Sequence, residues 1–353
     1  MKRRANTYAV LIGIVLLLAG CDEQRDLYVT ANPLIYVEGD WMPSRGEDDM
    51  SMNATAVAYG SGGQQIKEYF FDPNNVTIPV TKGTYDVMIF NGLMYSPEET
   101  HLDNVFFRGT DRIDTFEAVV REAAPNRRLG RAEGEYIASN EMEIVTSAVQ
   151  RQEITSEQGY YLKYKDGKNG FPIPDDYVEA ELYMTPVPVS YESRIVLTID
   201  NISSAYTAHA ALYGFVGSVF MQERLPSHFY VTHQFTLNNK RMIPGYEDRG
   251  TIETPTFVTF GPPVDAPDKT YQVYIRITLV NNTVFEETVD ITEQVQQVIE
   301  AIRENIGGAG DMEYQLTIPL DLTLELPKVD PVEGGIGVGD WEEDEIIRVP
   351  ITW

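Results

Sequence analysis

The stretch Val273-Tyr274-Ile275-Arg276-Ile277-Thr278-Leu279-Val280-Asn281-Asn282-Thr283-Val284-Phe285-Glu286-Glu287-Thr288-Val289 reads as a β-hairpin and sets the fold class. Val273, Ile275, Ile277 and Leu279 recur at every second residue, the period at which side chains share one face of a strand. Asn281-Asn282 supplies turn residues, and Val284 to Val289 returns alongside. Downstream, Leu316, Ile318, Leu320, Leu322, Leu324 and Leu326 alternate with Gln315, Thr317, Asp321, Thr323 and Glu325. One face of that strand is therefore buried and the other polar, as on an outer strand of an antiparallel sandwich. Between the two lies one helix. Thr292 can cap it, Glu293 sits in the first turn, Val295, Val298, Ile299, Ile302 and Ile306 follow at helical spacing, and Gly307-Gly308 stops it.

Upstream, the same period of two recurs in Leu27 to Val37, Thr55-Val57-Tyr59, Ile66 to Phe71, Val76 to Val80, Tyr85 to Phe90, Val105 to Phe107, Phe116 to Val120, Val178 to Met184 and Ile195-Leu197-Ile199. Turn residues punctuate it at Gly62-Gly63, Asp72-Pro73-Asn74-Asn75, Lys82-Gly83 and Asn91-Gly92. The polar passage Lys165 to Asp176 reads as a long loop. Thr185-Pro186-Val187-Pro188-Val189 carries two prolines that disfavour a central strand and favour an extended connector. A domain boundary is expected there, giving an N-terminal β domain over 27–185, a C-terminal one over 186–353, and two cores in a chain of 353 residues.

The N-terminus follows a different logic. Met1-Lys2-Arg3-Arg4 precedes an apolar run from Ala9 to Ala19, the order found in a secretory signal peptide. As a helix that run spans roughly 16 Å against a hydrocarbon core of about 30 Å, so cleavage is favoured over a permanent span. Leu18-Ala19-Gly20-Cys21 resembles the bacterial lipobox, with Leu18, Ala19 and Gly20 fitting the signal peptidase and Cys21 taking the lipid. Cys21 is the chain's only cysteine, so it belongs to no internal disulfide framework or zinc cluster. Residues 1–20 are thus expected to be removed, and residues 21–26 to form a lipidated polar tether. A single acyl chain binds membrane marginally, and stable anchoring needs the further chains that lipoprotein maturation adds.

Composition and motifs narrow the chemistry. The net charge is −27, and loss of Lys2, Arg3 and Arg4 with the signal makes the mature chain three charges more negative. A polyanion such as nucleic acid is repelled by that surface. A hydrophobic fraction of 43% with 11% aromatics excludes wholesale disorder. Four histidines are present, His101, His209, His228 and His233. His228 and His233 are expected on opposite faces of one strand, and all four as surface residues. No Gly-x-Ser-x-Gly elbow occurs. The acidic runs Glu47-Asp48-Asp49, Asp175-Asp176 and Glu342-Glu343-Asp344-Glu345 lack the spacing of a calcium loop and read as solvated charge. Gly335, Gly337 and Gly339 precede acidic residues rather than a helix that would hold a phosphate. No enzyme, metal or cofactor is expected. Tyr160, Tyr161, Tyr164 and Phe171 beside the polar loop would suit stacking on sugar rings, or equally a core and a loop anchor.

Three further stretches carry a family resemblance: Val80-Thr81-Lys82-Gly83-Thr84-Tyr85-Asp86-Val87, Val289-Asp290-Ile291-Thr292-Glu293-Gln294-Val295, and the terminal Gly335 to Trp341. In this order behind a lipobox, they resemble the fimbrial anchor and fimbrillin-like lipoproteins of the Bacteroidales, over nearly all of the chain. The resemblance implies an all-β fold of two transthyretin-like β-sandwich modules, with the short amphipathic helix in the second. It also implies lipid anchoring in the outer membrane facing the cell exterior, with Asp22, Glu23 and Asp26 resembling an export signal. The implied role is a fimbrial anchor or an accessory adhesion or assembly component, with fimbrial or other surface subunits as partners. Pilins of that family assemble by strand exchange, in which an open sheet edge takes an extended segment from a neighbour. The alternative is a carbohydrate-binding surface lipoprotein whose partner is a glycan.

Overall fold

The structure is a computed structural model that describes residues 27–31, 33–41, 54–69, 75–94, 102–126, 129–155, 159–163, 180–306 and 317–330. The chain is all-β, with one α-helix, Thr292–Ile306, among the described residues. Where length suggests two cores, three form.

The first core lies between two sheets. One places Leu34–Gly39 between Asn75–Pro79, antiparallel, and Ala180–Met184, parallel. The other runs Val187–Pro188, Thr146–Ile154, Gly83–Asn91, Ala54–Gly60, Gln65–Tyr69. Ala54, Ala56 and Ala58 face the first sheet, and their small side chains admit Ile35, Val37, Ile78, Leu182 and Met184. The opposite face of the same strands sends Val57, Tyr59, Met88 and Phe90 into a second core. Ala54 to Tyr59 are consequently all buried, because this sheet is covered on both sides.

That second cover is a four-stranded sheet of Leu225–Pro226, Ser218–Phe220, Glu117–Val120 and Val105–Arg108. Phe90, Phe107 and Phe116 meet under it, with ring centroids 5.0, 5.4 and 5.2 Å apart. Two of the four strands come from before the expected boundary at 185/186 and two from after it. The middle core is mixed in the same way, joining Val105, Phe116 and Val145 to Val189, Val216, Val219, Val231 and Phe260.

The third core lies wholly after residue 186, inside a nine-stranded sheet that curls on itself. Ile195, Leu197 and Ile199 on Tyr191–Asp200 face the apolar side of Ala205–Val216 and Gln272–Leu279. Thr317–Glu325 adds parallel to Tyr191–Asp200, with Ile195 opposite Leu320 and Ile199 opposite Leu324. Leu320, Leu322, Leu324 and Leu326 are buried while Asp321, Thr323 and Glu325 are exposed, as the alternation requires. The hairpin pairs Gln272–Leu279 with Val284–Asp290, and Asn282 takes the left-handed conformation at φ 64°. Val295 and Ile299 of the helix enter this core and Val298 packs at its rim. Capping differs from expectation. The Thr292 hydroxyl accepts the Tyr271 amide at 3.0 Å, and Asp290 Oδ1 accepts the Thr292 amide at 2.8 Å. Hydrogen bonds from the Thr292 side chain and amide hold the Asp290 carboxyl below its usual range.

Candidate functional site

Among the described residues, a group of buried polar side chains lies where the two halves of the chain cross. A strap, residues 121–126 and 129–142, leaves the end of Glu117–Val120 and doubles back on itself. Ala123 N donates to Ile137 O at 2.8 Å and Ser139 N to Arg121 O at 2.9 Å. Its returning arm, Tyr136–Ala138, joins the nine-stranded sheet parallel to Val231–His233. Alternation along Tyr230–Met242 sends Thr232 and Gln234 toward the strap and Val231, His233 and Phe235 the other way. Gln234 Oε1 accepts the Asn126 amide at 2.7 Å, and its Nε2 donates to Gly130 O at 3.0 Å. Thr232 Oγ1 donates to Glu135 Oε2 at 2.8 Å and accepts the Ala132 amide at 3.3 Å.

Glu135 is 5% exposed, and burial pushes its carboxyl above the usual range, offset by Thr232 and by Lys269. Lys269 Nζ stands 3.8 Å from that carboxylate and 3.7 Å from the centroid of the Tyr230 ring, a paired cation on an aromatic face. Asn140 closes the strap: its Nδ2 donates to Gln234 O and its Oδ1 faces His233 Nδ1 at 3.0 Å.

The exchange is reciprocal. Ser218–Phe220 and Leu225–Pro226, from the second half, complete the sheet begun by Val105–Arg108 and Glu117–Val120. Val120 N donates to Gly217 O, and Met221 N to Phe116 O, each at 2.9 Å. Ser147 Oγ donates to Met221 O at 3.1 Å. Glu117 takes Arg108 at 2.6 Å and the Ser218 hydroxyl at 2.9 Å. Each half lends strands to a sheet of the other, and the polar side chains that result are spent on one another.

Two histidines correct the expectation of surface positions, since His209 and His233 are 8% and 1% exposed. His233 lies beside the packed pair Phe235 and Phe257, and burial pushes its imidazole down to about 4. His209 Nδ1 lies 3.4 Å from Thr236 Oγ1. His228 is exposed, faces Asp265 at 3.3 Å, and precedes the strand on which it was expected, so the two-face argument does not apply to it. Burial of His233 was readable in principle from its place between Val231 and Phe235. Glu135 gave no such signal, because its partners lie about a hundred residues further on.

No group of three or more His, Cys, Asp or Glu that could hold a metal occurs among the described residues. No helix there is long and apolar enough to cross a membrane. Cys21, Leu18, Ala19, Gly20, Asp22, Glu23 and Asp26 lie outside the described residues, as do His101, the three acidic runs, the terminal glycines, Tyr164 and Phe171. Tyr160 and Tyr161 belong to Gly159–Lys163, which pairs antiparallel with Leu27–Ala31.

No protein-family model matches the chain, and no curated protein matches it in sequence. Solved structures do match. A candidate adhesin from Bacteroides ovatus is 13% identical at a TM-score of 0.52, covering 85% of this chain and 94% of its own. A second candidate adhesin, from Bacteroides thetaiotaomicron, is 8% identical at the same TM-score, covering 86% and 93%. The fimbrial anchor protein Mfa2 from Porphyromonas gingivalis is 10% identical at a TM-score of 0.38, covering 82% and 90%. Over the 85% and 86% of its length that they match, this chain has the fold of the two Bacteroides candidate adhesins.

Proposed function

We propose that the chain is a non-enzymatic surface lipoprotein, acylated on Cys21, held in the outer membrane facing outward, and serving as a fimbrial anchor or an accessory adhesion and assembly component. The observation that carries this reading is the shared fold with a candidate adhesin over 85% of this chain and 94% of that one. In this reading the chain comprises two transthyretin-like modules meeting near residues 185 and 186, with Leu18, Ala19 and Gly20 read by the signal peptidase and Asp22, Glu23 and Asp26 by the export machinery. The interlaced halves favour a component that transmits load, because separating them breaks the pairings of Tyr136–Ala138, Ser218–Phe220 and Val187–Pro188 and the Glu135, Gln234 and Asn140 bonds together.

Two experiments test the reading. Cys21→Ser should move the protein from the membrane to the soluble fraction and abolish acylation; persistence of both would overturn the anchor. A tagged wild-type protein, pulled down from detergent-solubilised cells, should retain a secreted β-rich subunit identifiable by mass spectrometry. Recovery of a polysaccharide with no protein would replace the anchor role with the carbohydrate-binding one.

A further inference from the structure

The hydrogen bonds around His233 run in one direction only. Asn140 Nδ2 donates to Gln234 O, so Asn140 Oδ1 is the atom turned to the ring and must accept from His233 Nδ1. That bond fixes the proton on Nδ1 and leaves Nε2 with its lone pair. Thr259 Oγ1, 3.4 Å from Nε2, is then the donor there, while the same oxygen accepts the Gly261 amide at 3.2 Å. The chain therefore reads Gly261 to Thr259 to His233 to Asn140 to Gln234, every donor pointing the same way. It links Phe257–Thr259, Tyr230–Met242 and the strap.

We propose that this chain is a proton-sensitive latch that holds the strap on the nine-stranded sheet and releases it when the ring gains a second proton. A proton on Nε2 sets N–H against O–H. Thr259 must then turn its hydroxyl away, and the ring carries a full charge in a site with no counter-charge. Against it pack Asn140 from the strap, Phe257 and Thr259 from one neighbouring strand, Phe235 on its own strand, and Leu212 opposite it on Ala205–Val216. None of these titrates. The strap's buried carboxyl, Glu135, meets Thr232, which leaves the opposite face of the strand, so it does not neutralise the ring. Burial alone already holds the imidazole well below its usual range. The protonated ring gains by reaching water, and the strap's Ala138 and Asn140 lie against its side of the strand.

Hydrogen exchange of the whole protein, followed from pH 7 to pH 4.5, tests the latch. The Asn126 and Ala132 amides donate to Gln234 and Thr232 across the seam, so their protection reads strap docking. Below the ring's unperturbed value their protection should fall by roughly tenfold per pH unit, and at each pH it should report an opening free energy smaller than that of global unfolding measured by chemical denaturation. In His233→Gln the strap amides should show no such slope. An equal slope in that variant, or strap amides that exchange only at the free energy of global unfolding, would overturn the latch. Should His233→Gln fail to fold, ring NMR of the wild type decides. Titration of His233 in step with strap opening upholds the proposal, whereas titration near its usual value with the strap amides still protected sinks it.

Discussion

Gly217, whose carbonyl accepts the Val120 amide, shows how tightly the second half packs beside the seam. A Cβ there would stand 2.4 Å from Val231 Cγ1 and 2.9 Å from Phe229 Cε1. Gly217→Ala should therefore cost about 1–3 kcal/mol through overpacking, measurable as a lower midpoint in chemical denaturation; an unchanged midpoint would mean that the seam yields. His233 adds a pH dependence. In an unfolded chain an imidazole titrates near 6.5, whereas here it is held down to about 4. Between those values the unfolded chain binds the extra proton, so this contribution to stability is complete above about 6.5 and is lost as the pH falls toward 4. Wild type should lose about 2 kcal/mol more than His233→Gln between pH 7 and pH 5. Glu135 acts in the opposite sense, since its raised carboxyl favours the fold at low pH and withdraws that favour as the pH rises through its folded value. It is present in both proteins and cancels in the difference.

Among the elements, legibility in the sequence tracked how many faces each one covers. Gln272–Leu279 and Thr317–Glu325 have one dry face and one wet one, and their alternation was plain. Ala205–Val216, with the residues AYTAHAALYGFV, passed unread because core residues cover one of its faces while Ala211 and His209 on the other are also buried. Alternation disappears when both sides of a strand are dry. Thr146–Ile154 showed no alternation for a related reason, buried from Thr146 to Ala148 and largely exposed from Gln150 to Glu153, while Tyr230–Met242, expected only around His233, is buried at one end and exposed at the other. The helix was legible because its apolar stripe serves a single core. Ile299→Ala should cost about 2–5 kcal/mol, while the exposed Glu300→Ala should stay within about 0.5 kcal/mol. Equal losses at both positions would contradict the packing of the helix on the third core.

At the scale of the whole molecule, the candidate site was not legible at all. Its bonds join Glu135 to Thr232 and Asn140 to Gln234 across sequence separations of 97 and 94 residues, and periodicity reports only on near neighbours. A connector at 185–189 was anticipated, and Val187–Pro188 does run extended, as an edge strand beside Thr146 and Ser147. What no local pattern announced is that strands cross that point in both directions. Expression of 27–185 and 186–353 as separate chains should yield no cooperative unfolding transition in either, while mixing them during refolding should restore one. Two independent, sharp transitions would show that the lent strands are dispensable.

Lent strands also fix the order in which the protein can finish. While it is being synthesised, everything up to Val216 emerges with Val219, Met221, Val231 and Phe260 still absent from the middle core, so Phe90, Phe107 and Phe116 have no complete lid. The first half must wait for the second, and contacts of such long sequence separation form slowly. A nascent chain of this kind stays unfinished until more than two thirds of it has been made, the loose condition required of any polypeptide that has still to be threaded through a narrow pore.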